Sequence, residues 1–229
     1  MNIAVIPARG GSKRIPRKNI KHFHGLPVIA YAIKAAKESG VFDEIYVSTD
    51  DEEIAEVATS FGAKVPWIRQ PELSDDYATT ISVLQDAVKK LETNLINLEN
   101  ICCIYPATPL LKPRFLSQGL KILENGNWDY VFSGVKTTTP PQRFFSLGIS
   151  MGVEMLFPEH KTTRTQDLSN YYYDAGQFYW GRKASWKSSL PIFSSKSTIL
   201  EMPSESAVDI DTPEDWHYAE ALFNLIKGE

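Results

Sequence analysis

Six Lys or Arg residues fall between Arg9 and Lys21, and no acidic residue precedes Glu38. Five of them sit in the run Pro7-Ala-Arg-Gly-Gly-Ser-Lys-Arg-Ile-Pro-Arg-Lys-Asn19, which follows from Asn2–Pro7, whose continuous apolar character is that of a buried parallel strand. Ligands of open α/β sheets bind just past the carboxyl end of such a strand. From Ala8 onward the loop has the parts of an anion site. Gly10 and Gly11 let backbone amides approach closely, Ser12 adds a hydroxyl donor, and Arg9, Lys13, Arg14 and Lys18 balance several negative charges. A triphosphate suits it. The whole-chain formal charge of -4 conceals this local block. The competing readings are a solvated basic turn, an Arg-rich transit segment and a nucleic-acid patch. Transit segments are Ser-rich and lack a strand, and the rest of the chain supplies no basic stripe and no recognition module.

A second constellation, Asp209-Ile-Asp211-Thr-Pro213, lies near the other end. On an extended segment its two carboxylates share a face and offer hard oxygen ligands to Mg²⁺, with nucleotide phosphates completing the shell. The plainer reading is a helix cap, with Asp211 or Thr212 satisfying backbone amides. Taken with the basic loop, the pair points to metal-assisted nucleotidyl transfer. Neither G-x-x-x-x-G-K-[ST] nor G-x-G-x-x-G occurs, which removes the main sequence support for P-loop NTPases and dinucleotide dehydrogenases. His22 and His24 form an H-x-H pair, but no H-E-x-x-H or C-x-x-C spacing accompanies it, and His160 and His217 have no nucleophile in a recognisable elbow.

The elements that must position these residues alternate. After the first strand, helical spacing covers Pro27–Lys37, a strand Glu44–Thr49, a helix Glu52–Phe61 capped by Asp50 or Asp51, and a short third strand Lys64–Ile68. A helix from Thr80 to Leu91, a strand Asn100–Tyr105, a helix Pro113–Asn125 and a strand Asp129–Val135 continue the pattern. This predicts an α/β fold of three layers, with a mostly parallel sheet between helices. Residues 136–174 then lose the long helical period and read as a small β-rich insertion within one domain spanning 1–229. Strands at Gln177–Gly181 and Ile199–Met202 and a closing helix Thr212–Lys227 follow, with Pro213 at the helix start and Glu214 and Asp215 favouring its dipole. Cys102 and Cys103, adjacent on a strand, point to opposite faces and read as reduced core residues. No apolar stretch approaches the ~18 residues that span a bilayer, so a cytoplasmic protein is expected.

The segments IPARGGSKRIPRKN with FHGLPVIAYAI, VSTDDEEIAEVA, RQPEL and VDIDTPEDW together resemble, over nearly the whole chain, the sugar-nucleotide cytidylyltransferases that activate nonulosonic acids. EMLFPEHKTTRTQDL followed by YYYDAGQFYWGR is similar to the branch acting on pseudaminic acid; the sialic acid branch usually has Asn-Gly at the position of Ala175-Gly176. The resemblance implies a Rossmann-like nucleotidyltransferase (GT-A-like) sheet, CTP as the nucleotide and Mg²⁺ as cofactor. It places Arg9, Ser12 and Lys18 on the triphosphate, Asn19 near the ribose or phosphates, Arg69 near the cytosine, Thr80 where relatives have a nucleotide-contacting serine, and the metal on Asp209 and Asp211. Arg9, Lys18 and Asp211 are the expected catalytic groups. Tyr105 and Ala107 depart from the sialate pattern. For the sugar carboxylate, Arg143 and Arg164 are candidates through bidentate hydrogen bonds, or are surface arginines. Gln142, Gln177 and Tyr179 are polar contacts to its hydroxyl and acylamino groups, and the aromatic runs around Tyr171–Tyr173 and Phe178–Trp180 read as core or subunit interface. Relatives pair two subunits through the corresponding insertion, so a homodimer is implied, with no nucleic-acid or membrane partner.

Overall fold

The computed structural model describes residues 1–95 and 97–227; the last positions of the expected 1–229 domain and Ile96 lie outside the described residues. Its strands are β1 (Asn2–Pro7), β2 (His22–Phe23), β3 (Leu26–Pro27), β4 (Glu44–Ser48), β5 (Asn100–Ile104), β6 (Tyr130–Lys136), β7 (Phe145–Leu147), β8 (Val153–Met155), β9 (Tyr172–Arg182) and β10 (Ser197–Glu201). Its helices are α1 (Val28–Ser39), α2 (Glu52–Ser60), α3 (Thr80–Glu92), α4 (Pro113–Asn125), α5 (Lys183–Lys187) and α6 (Pro213–Lys227). Six strands form the main sheet in the order β10-β6-β9-β5-β1-β4. β1 runs parallel to β4 and β5, and β10 parallel to β6, whereas β9 is antiparallel to both of its neighbours.

Period-two burial divides each central strand between two cores. Ala4 and Ile6 of β1 face Ile33, Ile54 and Leu116 of α1, α2 and α4, while Ile3 and Val5 face Leu84 and Val88 of α3 and Trp186 of α5. Cys102 and Cys103 fall on these two sides, both wholly buried and free, as the sequence implied. A third cluster packs Trp216 and Phe223 of α6 on Phe23 and Val28, which anchors the C-terminal helix beside the basic loop. No helix among the described residues is long and apolar enough to cross a membrane.

The expected strand Lys64–Ile68 reduces to two isolated bridges, Tyr46 to Lys64 and Thr49 to Ile68. Pro66 lies between them and has no amide to give a ladder. The second bridge still fixes Arg69, whose amide donates to the Thr49 carbonyl at 2.7 Å. The hairpin β2–β3 was absent from the sequence reading; His24 (φ 44°) and Gly25 (φ 89°) form its turn. β9 is longer than expected: Tyr172–Asp174 belong to it and pair with Gly134–Lys136, so both ends of the stretch assigned to an insertion are strand. Between Phe132 and Gly134 the register of β6 against β9 shifts. Ser133 Oγ accepts from the amides of Gln177 (3.1 Å) and Phe178 (3.2 Å) there, replacing ladder bonds and letting β9 bulge out at Gly176. Gly176 takes φ +60°, a conformation that costs an L side chain its Cβ clearance.

Candidate active site

A cleft of about 650 Å³ opens at the carboxyl ends of β1 and β5. Arg9, Ser12, Lys13, Arg14, Lys18 and Asn19 line one side, Arg69, Asp75, Asp76 and Thr80 another, and Tyr105, Gly176, Asp209 and Asp211 the rest. The two charge constellations, remote in sequence, therefore meet. Arg14 Nη2 lies 2.8 Å from Asp211 Oδ2, and Lys18 Nζ donates to Asp211 Oδ1 (3.2 Å) and to the Ile210 carbonyl (2.5 Å) across 193 and 192 residues.

The capping alternative for Asp-x-Asp is resolved by Asp215. Its Oδ2 accepts from the amides of Asp211 (3.1 Å) and Thr212 (2.8 Å), and Thr212 Oγ1 accepts in turn from the Asp215 amide (3.2 Å). This reciprocal cap starts α6 without using the carboxylates of Asp209 and Asp211, which line the cleft, Asp211's paired with Arg14 and Lys18. Asp209 lines the cleft with its carboxyl partly desolvated; that desolvation raises the carboxyl above the ordinary value, Asp211's charge adds to the rise, and Lys18 opposes it. Two crowded hard-oxygen donors fit Mg²⁺. Among the described residues no cluster of three or more His, Cys, Asp or Glu could hold an ion alone, so phosphate oxygens would complete its shell.

Asn19 is buried, with Nδ2 donating to the Arg9 carbonyl (2.9 Å) while its buried Oδ1 has no hydrogen-bond partner among the described residues. Arg69 is almost fully buried; its Nε donates to Ser74 Oγ (3.2 Å) and Nη2 lies 3.7 Å from Asp50 Oδ1. Desolvation lowers its guanidinium below the ordinary value, partly offset by Asp50.

The backbone amides of Ala8 and Gly10 already have partners within the protein. Ala8 is wholly buried and gives its amide to the Ser48 carbonyl (2.9 Å), and the Gly10 amide donates to Asp50 Oδ1 (3.0 Å). Gly10 is required for a different reason: a Cβ there would stand 2.7 Å from Asp51 Oδ2. That aspartate is the cap of α2 and is itself held by Arg17.

Of the sugar candidates, Tyr179 lies in an adjoining cavity of about 490 Å³ that shares Thr80 and Tyr105 with the main cleft. Its hydroxyl donates to Asp174 Oδ2 (2.6 Å), and Tyr105 hydrogen-bonds Thr80 at 2.9 Å. Gln177 lies behind the wall, fully buried, with Nε2 donating to the carbonyls of Ala175 (3.0 Å) and Val208 (3.1 Å), so it braces the segment carrying Asp209. Gln142, Arg143 and Arg164 are not brought to the cleft of their own chain. Gln142 is buried, Arg164 is exposed, and Arg143 donates to the carbonyls of His160 (3.0 Å) and Thr163, which folds the insertion onto itself. Sequence reading gave no site role to Asp76, Asp174 or Gly176, although the last two lie in the segment YYYDAGQFYWGR; the loop after Arg69 and the β9 bulge bring all three in.

A phosphate-sized basic loop facing paired carboxylates at the switch edge of an α/β sheet defines a nucleotidyltransferase. The chain belongs to the cytidylyltransferase family, whose model matches residues 3–223. It is 42% identical over 224 residues to a pseudaminic acid cytidylyltransferase of Campylobacter jejuni, covering 98% of this chain and 97% of that one. It is 37% identical over 218 residues to N-acylneuraminate cytidylyltransferase A of Danio rerio, covering 95% of this chain and 49% of that one. Its fold is similar to that of CMP:2-keto-3-deoxy-manno-octonic acid synthetase in complex with CTP, with TM-score 0.72, 18% identity and coverage of 98% and 99%.

Proposed function

We propose that the protein transfers CMP from CTP to pseudaminic acid, giving CMP-pseudaminic acid and pyrophosphate. The convergence of Arg14 and Lys18 on Asp211 carries this reading, because it puts phosphate-binding cations and metal-binding carboxylates around one space. The near full-length similarity to the Campylobacter jejuni enzyme supports the choice of sugar.

The sugar's anomeric oxygen attacks the α-phosphorus; that O–P bond forms as the bond to the β-phosphate's bridging oxygen breaks, and the hydroxyl proton leaves to solvent. Arg9, Lys13 and Arg14 hold the departing pyrophosphate, and Lys18 lies beside Asp211. Mg²⁺, when held by Asp209, Asp211 and phosphate oxygens, would neutralise the charge that builds on those phosphates. Asn19 lies beside the nucleotide, Arg69 lies at the base, and Tyr179, set by Asp174, faces the sugar in the adjoining cavity.

The insertion supplies the partner. Ile149, Met151, Val153 and Leu147 are exposed on or around the β7–β8 hairpin, an apolar surface of the kind that homodimers cover. Gln142, Arg143 and Arg164 lie on the same insertion and would meet a sugar in the partner's cleft. The test is a panel of CTP with pseudaminic, N-acetylneuraminic and 3-deoxy-octulosonic acids, followed by pyrophosphate release. Turnover of pseudaminic acid is expected, and turnover of N-acetylneuraminic acid alone overturns the choice of sugar.

A further inference from the structure

Besides the Arg14 and Lys18 pairs with Asp211, two further cations of the cleft share one carboxylate. Arg9 Nη1 lies 2.9 Å from Asp76 Oδ1, and Lys13 Nζ lies 2.5 Å from Asp76 Oδ2. The same Arg9 nitrogen donates to the Asp75 carbonyl at 2.8 Å. One carboxylate thus uses both oxygens to bridge two cations, as two oxygens of a phosphate would. The turn that presents it is fixed without its help, since Asp75 Oδ1 accepts from the amides of Tyr77 (2.9 Å) and Ala78 (2.8 Å). Asp76 has no other hydrogen-bond or ion-pair partner among the described residues.

We propose that Asp76 is an internal counterion that occupies Arg9 and Lys13 in the free enzyme, gives them up to the triphosphate, and takes them back as pyrophosphate departs. This rests on the reading of the cleft as a CTP site. Hydrogen bonds from Lys13, then Arg9, hold the Asp76 carboxyl below its ordinary value, so it is charged wherever the enzyme works. Both pairs are largely open to water, and exposed pairs are weak. A ligand with several phosphate charges displaces such a pair easily, whereas a ligand with a single phosphodiester charge does so poorly. Asp76 therefore sets a preference: the site accepts CTP, releases pyrophosphate, and does not retain the CMP-sugar. A cleft whose cations stood bare would bind both polyphosphates more tightly and let go of the product anion more slowly.

The experiment compares wild type with Asp76→Asn and Asp76→Ser, which are neutral, and with Asp76→Glu, which keeps the charge. KM for CTP and the inhibition constant for pyrophosphate are measured on the full chain with Mg²⁺ and sugar saturating, and direct pyrophosphate binding is measured by calorimetry. Both neutral variants are expected to lower both constants about threefold to tenfold, a gap that narrows as salt is raised, with Asp76→Glu near wild type. Unchanged or raised constants in the neutral variants, while wild type turns over CTP, overturn the proposal and leave the CTP site standing. A wild-type enzyme that neither turns over CTP nor binds pyrophosphate overturns both.

Discussion

Adding one methyl group at Gly176 separates backbone strain from the positioning of Asp209. Gly176 has φ +60°, and a Cβ there would stand 3.2 Å from both Cγ and Oδ2 of Asp209, so the carboxylate has to give by a few tenths of an ångström. The left-handed conformation costs an Ala about 1–2 kcal/mol. For a domain of this size that corresponds to about 2–8 °C in Tm. A displacement of about 1 Å at a reacting centre costs about 100-fold in rate, so a shift of a few tenths predicts a loss of about threefold to tenfold in kcat. Gly40 is the matched control, because its φ is +67° but nothing lies within 4 Å of its Cβ position. Gly176→Ala and Gly40→Ala should lose similar Tm in a thermal melt, and only Gly176→Ala should lose turnover in a pyrophosphate-release assay. Equal turnover in the two variants would refute the placement of Asp209 at the reaction centre.

Asp209→Ala and Asp211→Ala should each cut kcat by about 100-fold or more while Arg9, Lys13 and Lys18 retain most of the nucleotide affinity; equal loss of CTP binding by titration would point to a merely structural pair. Arg17 donates to Asp51 and holds its carboxyl below the ordinary value of 3.8. The pairing therefore stabilises the fold above that pH and is lost as pH falls through the lowered value. Asp51→Asn keeps a side-chain cap for α2 and should flatten the acid limb of Tm against pH below about 4, a limb that would stay unchanged if the pair contributed nothing. Ile149→Asp, on the exposed hairpin loop, should convert a dimer to a monomer in size-exclusion chromatography with light scattering; an unchanged mass excludes the β7–β8 surface as the contact.

How much of this was legible depended on whether the cause was local. α4 begins and ends at the expected residues because Pro113 starts it and a strong apolar stripe through Phe115, Leu116, Leu120 and Leu123 defines its face. The Arg9–Lys18 block and the Asp209–Asp211 pair were legible because one-sided charge at close spacing has few other uses, and the fold joins them. The strand Lys64–Ile68 failed on Pro66, a local signal outweighed by the apolar run around it. The roles of Gln177 and Arg143 were not readable, since a sequence does not reveal which carbonyls a side chain will meet: those of Ala175 and Val208 in one case, those of His160 and Thr163 in the other. Asp76 and Gly176 owe their place to a tertiary loop and a strand bulge, and neither leaves a mark in spacing or composition.

The reversed direction of β9 has a consequence for how such enzymes diversify. Because β6 and β9 are antiparallel neighbours, everything between them is a single excursion that leaves the sheet and returns beside its point of departure. Chain can be added, trimmed or rewritten there at an entropic penalty that grows only logarithmically with length. The strands that hold the nucleotide need not move at all. On the proposed reading, sugar preference and subunit pairing would then be exchanged as one cassette, while the returning strand keeps Asp174 and Tyr179 in place beside β5 and β6.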